Sequence, residues 1–254
     1  MGSDGGSSAT AAAALARRPL HAQREWWTDQ VSPLRSRIRT VGLVRAAPAS
    51  LGLLLASLAA TASVRWPSPV QHAASSIFVY RGRDLHTTTA LYRLPLSALL
   101  AQSWPQWVWT AFVAVTLFAS LEARVGPGRL LLCVFAGQVL STAVVDLTAG
   151  AGDRTAQLAM PDFGTSCLVV SAAAGYALLT RSRLLTTVLA VGLCIDAVLG
   201  ASTTDQEHWI AAGTGLLCIA VSAPRRRRAS LFSLSDSVQY CFLGRSGPHP
   251  TLWW

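Results

Sequence analysis

Two residues of this 254-residue chain stand where nucleophilic chemistry could be done: Ser166, in PDFGTSCLVV, and His208, in TTDQEHWIAAGTG. Each opens an apolar run, and a polar side chain in such a run is costly enough to need a reason. A serine hydroxyl is a weak nucleophile at its own pKa and requires an adjacent base, usually a histidine within hydrogen-bond reach. The backbone N–H groups at the start of the helix carrying Ser166 would be placed to stabilise an oxyanion. Gly164, two residues earlier, permits close backbone approach. Plainer roles exist for the same residue types, since serine at a helix N-terminus is commonly a cap.

For these two residues to meet, the elements carrying them must set them at one depth. Six apolar runs cover residues 46–64, 104–121, 130–145, 163–180, 184–204 and 208–224. A hydrocarbon core of about 30 Å takes about 20 helical residues, so the third and sixth runs are short and need flanking residues or tilt. With six crossings, the fourth and sixth helices run parallel, and Ser166 and His208 both fall near the same helix end. Ala211 and Gly215 form a small-x-x-x-small pair on helix 6, and Gly175 on helix 4 can receive it. Close packing of these two helices would bring Ser166 and His208 together.

Arginine placement tests the same topology. Six crossings put 16 arginines on the side of both termini and five on the other, which the positive-inside rule reads as cytoplasmic N- and C-termini. The expected location is the plasma (inner) membrane, multi-pass. Residues 1–40, rich in Gly, Ser, Ala and Arg, read as a disordered cytoplasmic tail. Residues 41–224 read as the membrane domain, and 225–254 as a basic flexible tail. The long 66–103 segment, with SIFVY and ALYRLPLSALLAQSW, reads as a piece lying in the membrane interface between helices 1 and 2.

Composition narrows the function classes. Hydrophobic residues make up 52% of the chain and charged ones 13%, against about a quarter charged in ordinary soluble domains. The net charge of +9 comes entirely from arginine. Because the arginines flank apolar runs, they point to a lipid surface and not to nucleic acid. The five cysteines include no C-x-x-C pair, so neither a disulfide framework nor a metal site is indicated, and no cofactor is expected. Asp162 and Glu207 fall in outer loops near the presumed site. Asp196, inside helix 5, and Asp146 leave room for an ion or proton pathway, the reading of a small transporter.

Several of these motifs together resemble the rhomboid superfamily of intramembrane serine proteases. G-T-S-C at 164–167 is similar to the family's G-x-S-G nucleophile motif. His208 followed by Ala211 and Gly215 is similar to its helix 6 pattern, and Glu122-Ala-Arg124-Val-Gly126 resembles its E-x-R-x-G turn. The 66–103 segment resembles the family's first loop. DFGTS together with RDLHTTTALYRLPLSALLAQSW looks like divergent actinobacterial rhomboid-like multi-pass proteins. The resemblance implies an all-α, six-transmembrane-helix bundle, with Ser166 as nucleophile and His208 as base, cutting transmembrane segments of other membrane proteins near the outer leaflet. Cys167 stands in place of the motif's second glycine and Val170 where an aromatic often packs on the histidine. Gln106 and Thr110 stand at the spacing of the helix 2 residues that support the oxyanion. The alternative that these departures leave is a catalytically inactive rhomboid pseudoprotease that binds membrane partners without cutting them.

Overall fold

The computed structural model describes residues 28, 31–67, 69–151, 158–199 and 203–222. The segment 225–254, expected as a flexible tail, lies outside the described residues, as does most of 1–30. The short helix α1 (residues 31–41) leads into α2 (Leu43–Ala46) and the first long helix α3 (Pro48–Arg65). Two small helices, α4 (Gln71–Phe78) and α5 (Ala90–Ser97), precede α6 (Trp104–Val125) and α7 (Pro127–Ala151). After them come α8 (Thr165–Thr180), α9 (Arg183–Leu199) and α10 (Thr203–Ser222). The two-residue strands β1 (Tyr80–Arg81) and β2 (Pro161–Asp162) pair antiparallel, Tyr80 opposite Asp162.

Among the described residues, a long helix covers most of each of the six apolar runs. Three spans, Pro48–Arg65, Trp104–Val125 and Pro127–Gly150, are long and apolar enough to cross a membrane, and Thr165–Thr180 is a shorter apolar helix. The third run proves longer than its apolar stretch, because α7 extends through flanking residues to 25 residues. By contrast, α10 opens on the polar stretch TTDQEH, and its full 20 residues are not uniformly apolar.

The expectation of disorder up to residue 40 is corrected at its end, where residues 31–41 are helical. Leu34 and Ile38, one turn apart, pack on Ala46, Ala47, Ala119 and Ala123. A helix needs only such an i, i+4 apolar pair to gain a docking face, and a pair this short is easily lost among flanking arginines. The opposite stripe of α1 carries Ser32, Arg35, Ser36, Arg39 and Thr40, all exposed.

The E-x-R-x-G stretch acts as a staple at the arginine-rich end of the bundle. Glu122 is fully buried and accepts from Ala49 N–H (3.0 Å), Ser50 N–H (2.8 Å) and Ser50 Oγ–H (2.6 Å). These are first-turn donors of α3 that have no intrahelical acceptor, so Glu122 caps α3 from 72 residues away. Arg124 places its guanidinium 5.6 Å over the Tyr176 ring at the far end of α8, within cation–π range. Gly126 has φ of +86°, a backbone conformation natural to glycine, and it turns the chain directly from α6 into α7.

Helices α7, α8 and α10 form the tightest part of the bundle. A side chain at Gly215 would overlap the backbone of Ser171, and the Gly215 carbonyl oxygen lies 3.2 Å from where a Cβ would stand on Gly175. The small residues singled out in the sequence therefore do sit where α8 and α10 approach most closely. Cys133 of α7 completes this junction, its Sγ 3.6 Å from Ser171 Oγ, and Ser171 Oγ–H donates to the Cys133 carbonyl at 2.8 Å. The 66–103 segment folds back onto the bundle, with Tyr80, Ala90 and Leu94 packed against Val139 and Ala143 of α7.

Candidate functional site

Ser166 stands in the first turn of α8, and the chain reaches it through a stretch tied down residue by residue. Asp162 accepts from Gln138 Nε2–H (2.8 Å) and Ser97 Oγ–H (3.0 Å), with Thr142 Oγ1 at 3.5 Å. The Phe163 ring lies 5.6 Å beneath the Arg65 guanidinium. Gly164 N–H donates to the Ser97 carbonyl at 3.2 Å. A side chain at Gly164 would overlap the Gln138 carboxamide, so the close backbone approach expected of this glycine is present. Thr165 is fully buried. Four consecutive residues, D-F-G-T, thus hold the serine at one height and azimuth.

Burial lifts the Asp162 carboxyl from 3.8 to about 6, against the hydrogen bonds from Ser97, Thr142 and Gln138 that favour its charged form. A raised carboxyl pKa means that the folded protein binds more protons than the unfolded chain between those two values. Stability should therefore fall as pH rises from about 4 through about 6. Asp162→Asn, which mimics the neutral form, should flatten that part of a melting-temperature curve recorded against pH in detergent. An unchanged slope in the variant would show that Asp162 is not the group responsible.

His208 lies one helical turn into α10, its side chain 12% exposed. Its Nδ1 is 2.8 Å from Asp196 Oδ2 on the neighbouring helix α9. A carboxylate can only accept, so Nδ1–H is the donor and, in the neutral ring, Nε2 carries the free lone pair. Nε2 is buried and has no hydrogen-bond partner, an orphaned acceptor of the kind that native interiors rarely leave without a role.

Both residues open onto one cavity of about 580 Å³. Its walls come mainly from α6, α8 and α9, with His208 of α10 and Val31 of α1, and Ser166, His208, Asp196, Gln106 and Thr110 are among its polar groups. Toward the arginine-rich end the walls are mostly apolar, through Val113, Val169, Val188 and Leu189, with Thr116, Ser120 and Tyr176 among them. On α8 the lining runs from Ser166 to Tyr176, about 15 Å at 1.5 Å per residue.

Four of the six residues expected from the sequence therefore meet at the cavity, and Gly164 supports the site from behind. Cys167 stands apart from them: it is 1% exposed and not on the cavity wall, and its N–H is taken by the Gly164 carbonyl at 3.1 Å. One residue along a helix rotates a side chain by about 100°, so the neighbour of a cavity-facing serine faces the bundle interior. Gln106 is oriented by its surroundings, with its N–H donating to Ser103 Oγ at 3.2 Å and its Oε1 accepting from Gln102 N–H. That leaves the carboxamide NH2 as its unused donor among the interactions seen here.

Two features escaped the sequence reading. Asp196 joins the site, and the signal for it was present: 196 and 208 stand only 12 residues apart, near the end of one apolar run and the start of the next. The pathway reading of Asp196 with Asp146 is not supported by position, because Asp146 lies apart from the cavity and accepts from Tyr80 O–H at 2.9 Å. The second feature is a π-turn at Ala114–Phe118 within α6. There Thr116 Oγ1–H donates to the Phe112 carbonyl at 2.9 Å and Ser120 Oγ–H to the Thr116 carbonyl at 2.6 Å. Such back-bonding loosens the helical ladder, and π-turns are often found at functional sites. Thr116, Leu117 and Ser120, in and just beyond this turn, all line the cavity.

No family model, no curated protein and no solved structure matches this chain.

Proposed function

We propose that this chain is a rhomboid-like integral membrane protein acting as an intramembrane serine endopeptidase, with Ser166 as nucleophile and His208 as general base. The observation that carries the reading is that Ser166 and His208 line one cavity, with His208 Nε2 buried and without a hydrogen-bond partner. No Ser166–His208 hydrogen bond is formed, as is common in a site without substrate, where catalytic hydrogen bonds tighten only once the substrate is bound. Gln106 and Thr110 face the same space and supply the donors for an oxyanion. The apolar length of the cavity suits a transmembrane segment of another membrane protein, whose scissile bond would meet the polar end. The arginine-rich end, with the Arg35 and Arg39 stripe of α1, belongs on the cytoplasmic side against anionic headgroups. This orientation puts both termini in the cytoplasm and the cut near the outer leaflet.

One observation favours a second reading, a pseudoprotease that binds membrane segments without cutting them. Gln106 offers only its NH2 as a side-chain donor, and the hydroxyl of Thr110 must serve as the other. Fluorophosphonate labelling of the purified protein in detergent separates the two. The protease reading expects labelling of wild type that Ser166→Ala abolishes and His208→Ala reduces by at least about 100-fold. A folded wild-type protein that takes no label would leave the binding role.

A further inference from the structure

Among the groups at the cavity, Asp196 has no part in the dyad just described, yet its Oδ2 lies 2.8 Å from His208 Nδ1. We propose that Asp196 is the positioning residue of a Ser166–His208–Asp196 triad, setting the tautomer and the direction of the imidazole. This proposal rests on the Ser166–His208 reading and deepens it.

Three observations converge on it. The contact from His208 Nδ1 to Asp196 Oδ2 is 2.8 Å, a normal length for a charge-assisted hydrogen bond. It joins two helices, α9 and α10, so the ring is fixed by a neighbour and not by its own backbone. The other ring nitrogen, Nε2, is buried without a partner, and the ring borders the cavity that Ser166 also lines. A histidine held only for packing would more simply satisfy both nitrogens. Here one nitrogen is satisfied by a carboxylate, and the other has no hydrogen-bond partner, on a residue that shares its cavity with Ser166.

The chemistry follows from that arrangement. With Nδ1–H donated to Asp196, the Nε2 lone pair takes the Ser166 proton as Oγ bonds to the substrate carbonyl carbon. The imidazolium now carries protons on both nitrogens, and Asp196 stabilises it while remaining a carboxylate. As the C–N bond breaks, Nε2 returns its proton to the leaving amine. Water then attacks the acyl-serine, giving one proton to Nε2 and its oxygen to the acyl carbon. The Ser166 oxygen leaves with the Nε2 proton, which restores the free enzyme and releases the carboxylic acid.

A purely structural contact and a tautomer-setting one respond differently to Asp196→Asn. Asparagine keeps the shape and can still hydrogen-bond, so a structural role would leave labelling nearly unchanged. A tautomer-setting role fails, because the carboxamide NH2 can donate to Nδ1 and move the ring proton to Nε2. The expected result is a loss of fluorophosphonate labelling of about 10³- to 10⁴-fold, with an unchanged melting temperature and partial recovery in Asp196→Glu. Nitrogen-15 spectra of labelled His208 in the full-length protein should show Nδ1–H in wild type and Nε2–H in Asp196→Asn. Equal labelling of wild type and Asp196→Asn, or an Nε2–H tautomer in wild type, overturns the triad. If wild type takes no label at all, the protease reading fails, while the tautomer measurement still decides whether Asp196 sets the imidazole.

Discussion

Glu122→Ala should lower stability by about 3–5 kcal/mol. The carboxylate is fully buried and accepts three hydrogen bonds, two of them from backbone N–H groups of Ala49 and Ser50. Those groups begin α3 and have no intrahelical acceptor. Truncation leaves them buried and unpaired, and the penalty for an unpaired buried donor is about 1–3 kcal/mol each. For a chain of this size each kcal/mol corresponds to about 2–4 °C, so thermal unfolding in detergent should shift down by about 10 °C. Glu122→Gln should fall between the two, since one acceptor oxygen survives while an NH2 faces a former donor. A melting temperature within a degree or two of wild type for Glu122→Ala would show that the cap contributes nothing measurable.

Gly215→Val should disable the site without touching any residue in it. The Cβ alone would overlap the Ser171 backbone on α8, and backbone cannot rotate away as a side chain can. The two helices must separate, and His208 sits on α10 less than two turns from Gly215 while Ser166 sits on α8 less than two turns from Ser171. A displacement of about 1 Å at catalytic geometry costs about 100-fold, so fluorophosphonate labelling should fall by at least that factor. Stability should fall as well, by about 1–3 kcal/mol for overpacking of this kind. Gly213→Val provides the control, since nothing lies within 4 Å of a Cβ there, and it should label like wild type. Retained labelling in Gly215→Val would mean that the α8–α10 contact does not set the relation of Ser166 to His208.

These two positions also show how legibility differs along the chain. Gly215 was marked as a close-packing residue by its spacing from Ala211, because small residues four apart lie on one helix face whatever that face meets. Glu122 was legible only as part of a turn pattern. Its carboxylate reaches α3 across 72 residues, and nothing in the neighbourhood of Glu122 names that partner. The helix at 31–41 was read as a tail because its docking pair, Leu34 and Ile38, is short and its surroundings are charged. Only the alanine surface formed by Ala46, Ala47, Ala119 and Ala123 makes that pair worth burying.

What the sequence determined by itself is what depends on chain-local physics. Runs of apolar residues located the long helices, apart from the flanking residues that lengthen α7 and α10. Polar residues at the starts of two such runs set Ser166 and His208 near the starts of α8 and α10, since height along a helix follows from counting residues. Tertiary structure alone decided what depends on rotation about a helix axis and on which helices are neighbours. It turned Cys167 inward while Ser166 faces the cavity, opened the π-turn of α6 beside that cavity, and set Asp196 against His208. Counting residues fixes height along a helix, but azimuth and neighbour come only from packing, and hydrogen-bond geometry at the site requires all three.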